Sequence, residues 1–183
     1  IMTSRLYQLE SQPTTSNASD EKFFSHYRVK RLAAEPLLDA IDAVTGVQTK
    51  FKSLPAGTRA IELPDAEDPD YFLNVFGKPR RVSVCECERM PDENLGQALH
   101  TLNGDFLMDK IASKSGRIAK EIEAKKTDDE IITEIYLRAL SRRPTDSELA
   151  TARQFVSETP NRTEILEDLL WTIVNSKQFL YVR

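Results

Sequence analysis

Two copies of one helix-start signal in the last third of the chain constrain its fold more than any other feature. Thr127-Asp128-Asp129-Glu130 and Thr145-Asp146-Ser147-Glu148 each place a threonine three residues before a glutamate. In such a capping box, the two side chains satisfy each other's backbone N–H groups at the first turn of a helix. Apolar residues follow each box at helical spacing, and we expect them to face inward: Ile131, Ile132, Ile135, Tyr136, Ala139 and Leu140 after the first box, and Leu149, Ala152, Phe155 and Val156 after the second. The sequence therefore predicts two consecutive helices, joined by a turn at Pro144.

A third helix is predicted after Pro160, with Asn161 or Thr163 at its start. A helix that is apolar on most sides is normally buried, so we expect this one to be central, and Phe179 and Leu180 to form a final anchor. Short turns between the three helices favour an antiparallel group. The expected buried positions of the third helix are Ile165, Leu166, Leu169, Leu170, Ile173 and Val174, with Trp171 between the stripes.

The first 90 residues are richer in loops. One helix is clear from Ala34 to Thr45, with Gly46 supplying its left-handed end. A shorter helix is predicted from Ser19 or Asp20 to Tyr27. We expect its aromatic residues, Phe23, Phe24 and Tyr27, to pack in the core.

Prolines and glycines interrupt residues 48–79, which we interpret as a long irregular loop. Arg59 to Leu63 is predicted to be a short strand, and Tyr71 to Phe76 either a strand or one helical turn. The acidic patch in this loop lacks the spacing of an EF-hand calcium site, which favours a solvated loop. Its members are Asp65, Glu67, Asp68 and Asp70.

Together these patterns predict a mainly α fold. We expect one helical domain over residues 1–183, with a loop-rich half at 1–90, a helical half at 91–183, and at most two or three very short strands between Arg59 and Cys87. The net charge of −4 argues against nucleic-acid binding. No apolar run approaches the roughly 18 residues of a membrane-spanning helix. Residues 1–5 resemble the end of a helix already under way, so we expect a C-terminal fragment of a larger protein.

The stretch from Arg80 to Leu107 is the densest in unusual residues, and two interpretations of it stay open. One is a ligand or active site beside a helix N-terminus, which favours anions, with a glutamate or histidine as base and a cysteine as nucleophile. The other is a clasp of paired opposite charges. No nucleophile motif is present, so no catalytic residue is assigned. The candidate residues are Arg81, Cys85, Glu86, Cys87, Glu88, Arg89, Glu93 and His100.

The two cysteines allow three states: buried thiols, a strained bond between Cys85 and Cys87, or metal ligation together with His100. Their spacing fits neither a haem attachment motif nor a paired zinc motif. We therefore predict no metal and no cofactor.

Two further groups of residues are candidates for contacts. The basic run from Arg28 to Arg31 is either a solvated face or an anion site. Tyr71, Phe72 and Phe76 are candidate contacts for a glycan or a partner, although we expect at least two of the three to anchor in the core.

Five blocks of the chain, in this order, are similar to a known family: SRLYQL, FFSHYRVKRLAAEPLLDAIDAVTG, CECERMPDENLGQALHTLNGDFL, DDEIITEIYLRALSRRPTDSELA and LEDLLWTIVNSKQFLYVR. They resemble the C-terminal domain of unknown function found in large secreted proteins of planctomycete-type bacteria. Those proteins are associated with cytochrome-c-like domains and sometimes with carbohydrate-binding-type modules. The resemblance implies an extracytoplasmic location and no particular activity.

From these observations we predict a non-catalytic binding or architectural domain of a large extracytoplasmic bacterial protein. Its expected partners are neighbouring domains of the parent protein, and glycans are a further possibility. The alternative is part of an enzyme acting on polysaccharides, with a site near Cys85 and His100. That alternative depends only on the domains that accompany this family.

Overall fold

The computed structural model describes residues 1, 3–20, 22–52, 54–63, 70–79 and 104–182, and within them the chain is mainly helical, as predicted. A two-stranded antiparallel sheet joins β1 (Lys30–Arg31) to β2 (Tyr181–Val182). The α-helices of these residues are α1 Ala34–Thr45, α2 Tyr71–Val75, α3 Asp105–Ile111, α4 Arg117–Glu123, α5 Asp128–Leu140, α6 Asp146–Glu158, α7 Arg162–Val174 and α8 Lys177–Leu180.

Both predicted capping boxes form. The Thr127 N–H donates to Glu130 Oε2 over 2.8 Å, and the Glu130 N–H donates to Thr127 Oγ1 over 3.4 Å, at the start of α5. Thr145 and Glu148 repeat this arrangement at the start of α6, with distances of 2.8 and 3.3 Å. Asn161 caps α7 through its side chain, as expected. These starts are set by side chains within one helical turn of each other, which is why the sequence predicts them well.

The core is built around two helices, α1 and α7. Helix α7 contacts α3, α4, α5, α6 and α8, and all six of its predicted inward residues are buried. Helix α1 contacts α2, α3, α4 and α5. Helices α3, α4 and α5 therefore touch both central helices and join them into one core. Gly46, with φ of 71°, ends α1 in the left-handed conformation that was predicted.

The short strand predicted at Arg59–Leu63 is wrong: Ala60–Glu62 is a 3-10 turn. The Asp39 carboxylate of α1 accepts the Ala60 N–H over 2.6 Å and the Ile61 N–H over 3.3 Å. Two successive N–H groups that converge on one carboxylate wind the backbone into a turn. The observed sheet lies elsewhere, because β1 pairs with a strand near the other end of the chain.

The helix predicted from Ser19 or Asp20 to Tyr27 is also wrong. The Asp20 carboxylate accepts the N–H groups of Lys22, Phe23 and Ser25 at 2.9, 2.7 and 2.8 Å and holds a tight turn. Phe24 has φ of 53°, which a right-handed helix excludes. Phe23 and Phe24 are exposed, contrary to the expectation of core packing.

Candidate functional site

The predicted polar site at residues 81–100 lies outside the described residues. Its candidates are Arg81, Cys85, Glu86, Cys87, Glu88, Arg89, Glu93 and His100. Whether they form a ligand site or a charge clasp stays a prediction, as does the state of the two cysteines. Of the acidic patch, Asp70 is described: its carboxylate accepts the Leu73 N–H over 2.9 Å and caps α2.

The three candidate contact aromatics divide into two kinds. Phe72 and Phe76 are buried, and their rings stack with centroids 4.2 Å apart. Phe72 also stacks on Phe106 of α3, with centroids 5.2 Å apart. Tyr71 is 71% exposed. The expectation that at least two of the three anchor in the core is confirmed, and among them Tyr71 alone offers its ring to a partner.

The basic run before α1 is partly incorporated into the core. Arg31 lies over the ring of Phe76, with its Cζ 5.4 Å from the ring centroid, and its Nη2 donates to the Phe76 carbonyl over 3.3 Å. Arg28 lies 5.9 Å from the centroid of Phe24, and Lys30 is exposed. Arg31 therefore holds the end of α2 in place, whereas Arg28 and Lys30 present positive charge to solvent.

A buried ion pair connects α1 to α3. Lys110 Nζ lies 2.8 Å from Asp42 Oδ1 and also donates to the Val47 carbonyl over 2.9 Å. The same ammonium group lies 5.2 Å from the Phe106 ring centroid. Asp42 further accepts the N–H and the hydroxyl of Thr49 at 2.7 and 3.0 Å. Because both charges are surrounded by partners from this chain, the pair serves to hold the helices together.

Two arginines make similar connections among α5, α6 and α7. Arg153 of α6 binds Asp129 of α5 in a two-point contact, with both distances at 2.6 Å. Arg162 at the start of α7 binds Asp128 over 2.7 Å and the Lys126 carbonyl over 2.7 Å. These contacts fix the relative positions of α5, α6 and α7.

Glu148 has the best-defined carboxylate environment in this region. Arg142 Nη1 and Nη2 donate to its two oxygens at 2.8 and 2.7 Å, and the Thr145 N–H adds a third bond. The Arg142 guanidinium, followed by the Thr145 backbone bond, lowers the pKa of Glu148 from 4.5 to about 2. Since the folded state then has the lower pKa, the paired carboxylate stabilises the fold above pH 4.5, and this contribution is lost as the pH falls towards 2.

Replacing Glu148 with glutamine tests whether the paired Glu148 carboxylate makes the stability of the fold depend on pH. The melting temperature of Glu148→Gln is expected to lie below that of the natural chain at neutral pH, and the difference is expected to shrink as the pH falls through that window. Thermal unfolding followed by circular dichroism at a series of pH values measures it. Glu123→Gln, at an exposed position ending α4, is the matched control. A Glu148→Gln difference that is constant across the window would contradict the prediction.

A groove runs along α6 on its side towards α5 and α7, with a volume of about 610 Å³; we call it the α6 groove. Its apolar lining consists of Tyr136, Ala152, Phe155, Leu169 and Ile173. Phe155 was predicted to face inward, but it is 45% exposed. The helical spacing that places Ala152 and Val156 in the core leaves Phe155 at the edge of the apolar stripe, where only the packing of neighbouring helices decides its exposure.

A second surface lies before β1, in residues 22–31. Phe23 is 86% exposed and Phe24 57% exposed, and they project from the turn that Asp20 holds. We call residues 22–31 the aromatic–basic segment, because its charged residues are Lys22, Arg28, Lys30 and Arg31. Aromatic side chains next to a basic run were visible in the sequence, but the turn that exposes them was missed because three N–H groups share one carboxylate.

The described residues contain no group of three or more His, Cys, Asp or Glu side chains placed to hold a metal ion. None of their helices combines the length and apolar character needed to cross a bilayer.

Comparison with known proteins identifies one family. Residues 1–156 match the model of PSD1, described as a protein of unknown function (DUF1553). No curated protein and no solved structure matches the chain. The matched range includes the aromatic–basic segment and most of α6.

Proposed function

The chain belongs to the PSD1 family, and on that premise we propose that it is a non-catalytic architectural domain that docks against neighbouring protein domains. The setting that we propose is a large extracytoplasmic bacterial protein of the planctomycete type, of which this chain is a C-terminal part. The five sequence blocks support that setting. Docking requires an exposed surface that becomes buried in the assembled protein, and the fold offers one.

The observation that carries the proposal is the exposure of two consecutive large apolar side chains, Phe23 and Phe24, on the turn that Asp20 holds. Exposed large apolar groups mark interaction surfaces in folded proteins when they lie together. Phe23 and Phe24 are adjacent, and covering one phenylalanine side chain is worth about 1.5–3 kcal/mol. Other exposed large hydrophobic residues before β1 are Leu6, Tyr7 and Val29.

The use of charged side chains also supports an architectural role. Lys110, Arg117, Arg142, Arg153 and Arg162 all bind groups of the same chain. Arg117, for example, donates to the Val44 and Ala43 carbonyls at 2.8 Å each and closes the C-terminal end of α1. Charges that are engaged in this way rigidify the domain, and a rigid domain is suited to positioning its neighbours.

Photo-crosslinking from the exposed aromatic tests the docking role. With p-benzoylphenylalanine in place of Phe23 in the intact parent protein, irradiation of cell envelopes is expected to join position 23 to another protein segment. Mass spectrometry of the joined peptides identifies that segment.

The same photoreactive residue at Ile61 is the control, because this side chain is also apolar and 57% exposed but lies on the 3-10 turn. Several-fold more adduct from position 23 than from position 61 is expected. Equal yields from the two positions would show that the aromatic–basic segment is not a docking surface.

A further inference from the structure

We propose that the partner of the aromatic–basic segment is the α6 groove of a second copy of this chain. This inference rests on the proposed docking function and names the surface that receives the segment. Two surfaces of the same molecule carry it: an apolar groove with acidic side chains, and a projecting aromatic turn with basic ones.

The groove has the shape and floor that a projecting aromatic ring requires. It is lined by residues from position 147 to position 158 of α6, which at 1.5 Å per residue corresponds to about three turns. Ala152, Leu169 and Ile173 form a buried apolar floor, and the half-exposed ring of Phe155 stands at its side. Two aromatic rings meeting in a desolvated groove gain about 0.5–1.5 kcal/mol beyond the area they bury.

The charge of the groove is negative. Glu148 and Glu158 line it, and the described lining contains neither lysine nor arginine. Arg142 already pairs with Glu148, whereas Glu158 accepts a hydrogen bond from the neutral side chain of Gln154 over 2.7 Å. Glu158 is therefore the carboxylate best placed to receive a cation from a partner.

Helices α6 and α7, which form most of the groove, extend this negative field. Residues 146–174 contain two arginines, Arg153 and Arg162, and both bind aspartates of α5. The acidic residues of this range are Asp146, Glu148, Glu158, Glu164, Glu167 and Asp168.

The aromatic–basic segment has the complementary chemistry. It contains four cations and no acidic residue. The Asp20 carboxylate orders the backbone that carries its two phenylalanine residues, and the Arg28 guanidinium lies 5.9 Å from the centroid of the Phe24 ring. A projecting group that is already ordered loses less conformational entropy when it docks. Phe23 is the natural anchor, with Lys22 and Arg28 beside it to approach the groove carboxylates.

The size of the contact sets the expected strength. Two phenylalanine residues bury about 150–250 Å² each, so each partner contributes less than the roughly 800 Å² of a standard interface. We therefore expect weak association, with a Kd of about 10–100 μM, and weakening by salt because complementary charges contribute. The two surfaces differ, so the contact is heterologous.

Complementation between two variants tests the proposal. The first variant, Phe23→Ser with Phe24→Ser, removes the projecting rings and keeps the groove. The second, Phe155→Lys with Glu158→Lys, removes the apolar side and the negative charge of the groove and keeps the segment. All four positions are exposed, so the fold is expected to survive, as circular dichroism would verify. Lys114→Glu, an exposed charge reversal after α3, is the control.

Analytical ultracentrifugation gives the readout. The natural chain and Lys114→Glu are expected to self-associate equally, each of the two surface variants alone to stay monomeric, and an equimolar mixture of these variants to form a 1:1 complex. A natural chain that stays monomeric up to about 1 mM, well above the expected Kd, or variants that do not complement each other, would overturn the proposal.

The photo-crosslinks from position 23 separate this inference from the docking function itself. For this experiment, one copy is isotopically labelled and the other is unlabelled. Adducts that join position 23 of one copy to α6 of the other support both the docking function and the second copy as the partner. Adducts to a different sequence overturn the second-copy partner and leave the docking function intact. The absence of adducts above the Ile61 control overturns both.

Discussion

Replacing Lys110 with methionine is expected to lower the free energy of unfolding by about 3–5 kcal/mol, because it leaves a buried carboxylate without its cation. The Lys110 side chain is 8% exposed and that of Asp42 13% exposed, so water compensates little for the lost partner. Methionine fills a similar volume, which confines the change to the charge and its hydrogen bonds. For a chain of this length, the melting temperature is expected to fall by about 10 °C. Urea or thermal unfolding measures both quantities.

The matched control is the exposed pair on α5 and α6. Arg153→Ala breaks a two-point contact to Asp129, but the side chains are 54% and 48% exposed. Such pairs contribute about 0.2–1 kcal/mol. If Arg153→Ala lowered the free energy of unfolding as much as Lys110→Met does, burial would not explain how strongly the Lys110–Asp42 pair stabilises the fold.

A double variant refines the result. Asp42→Asn combined with Lys110→Met removes both charges, so it is expected to be less destabilised than the sum of the two single changes. The difference measures the coupling between the two residues. Strict additivity would mean that the two side chains act independently.

Replacing Phe72 with alanine is expected to cost about 3–5 kcal/mol, because it removes a buried ring and leaves a cavity. Phe72 is 2% exposed and stacks on both Phe76 and Phe106, so it fastens α2 to the helical core. Chemical denaturation measures the loss. The adjacent Tyr71→Ala is the natural control, since surface changes usually stay within about 0.5 kcal/mol.

Phe72→Ala and Tyr71→Ala also distinguish an aromatic residue that stabilises the fold from one that contacts a glycan or a partner directly. Tyr71→Ala is expected to leave stability unchanged, so any binding that it abolishes is a direct contact of the Tyr71 ring. A large loss of stability in Tyr71→Ala would show that the exposed ring also supports the fold, and loss of binding would then have no single cause.

Much of the helical framework was predictable because its signals are local. The Thr127 and Thr145 boxes bind within one turn of helix, Gly46 ends α1 by its own backbone freedom, and the apolar stripe of α7 identifies a central helix. Each of these signals lies within a few neighbouring residues, so the amino-acid order is sufficient to read it.

The surfaces that we propose for docking were not predictable in the same way. The sequence placed Phe23, Phe24 and Phe155 at positions that suit a core, yet all three are exposed. Their exposure depends on which surfaces the other helices have already covered, and that is a property of the whole fold. The polar stretch at residues 81–100, which the sequence favours most as a site, lies outside the described residues and stays a prediction.

The sequence by itself therefore determined the class of fold, the starts of the C-terminal helices and the centrality of α7. Only the tertiary structure paired Lys30–Arg31 with Tyr181–Val182, joined Lys110 to Asp42, and turned residues 60–62 onto Asp39. The physical reason is the range of the interactions. Caps and helical periodicity act within one or two turns, whereas these contacts join residues far apart in the chain, whose meeting depends on how every intervening helix packs.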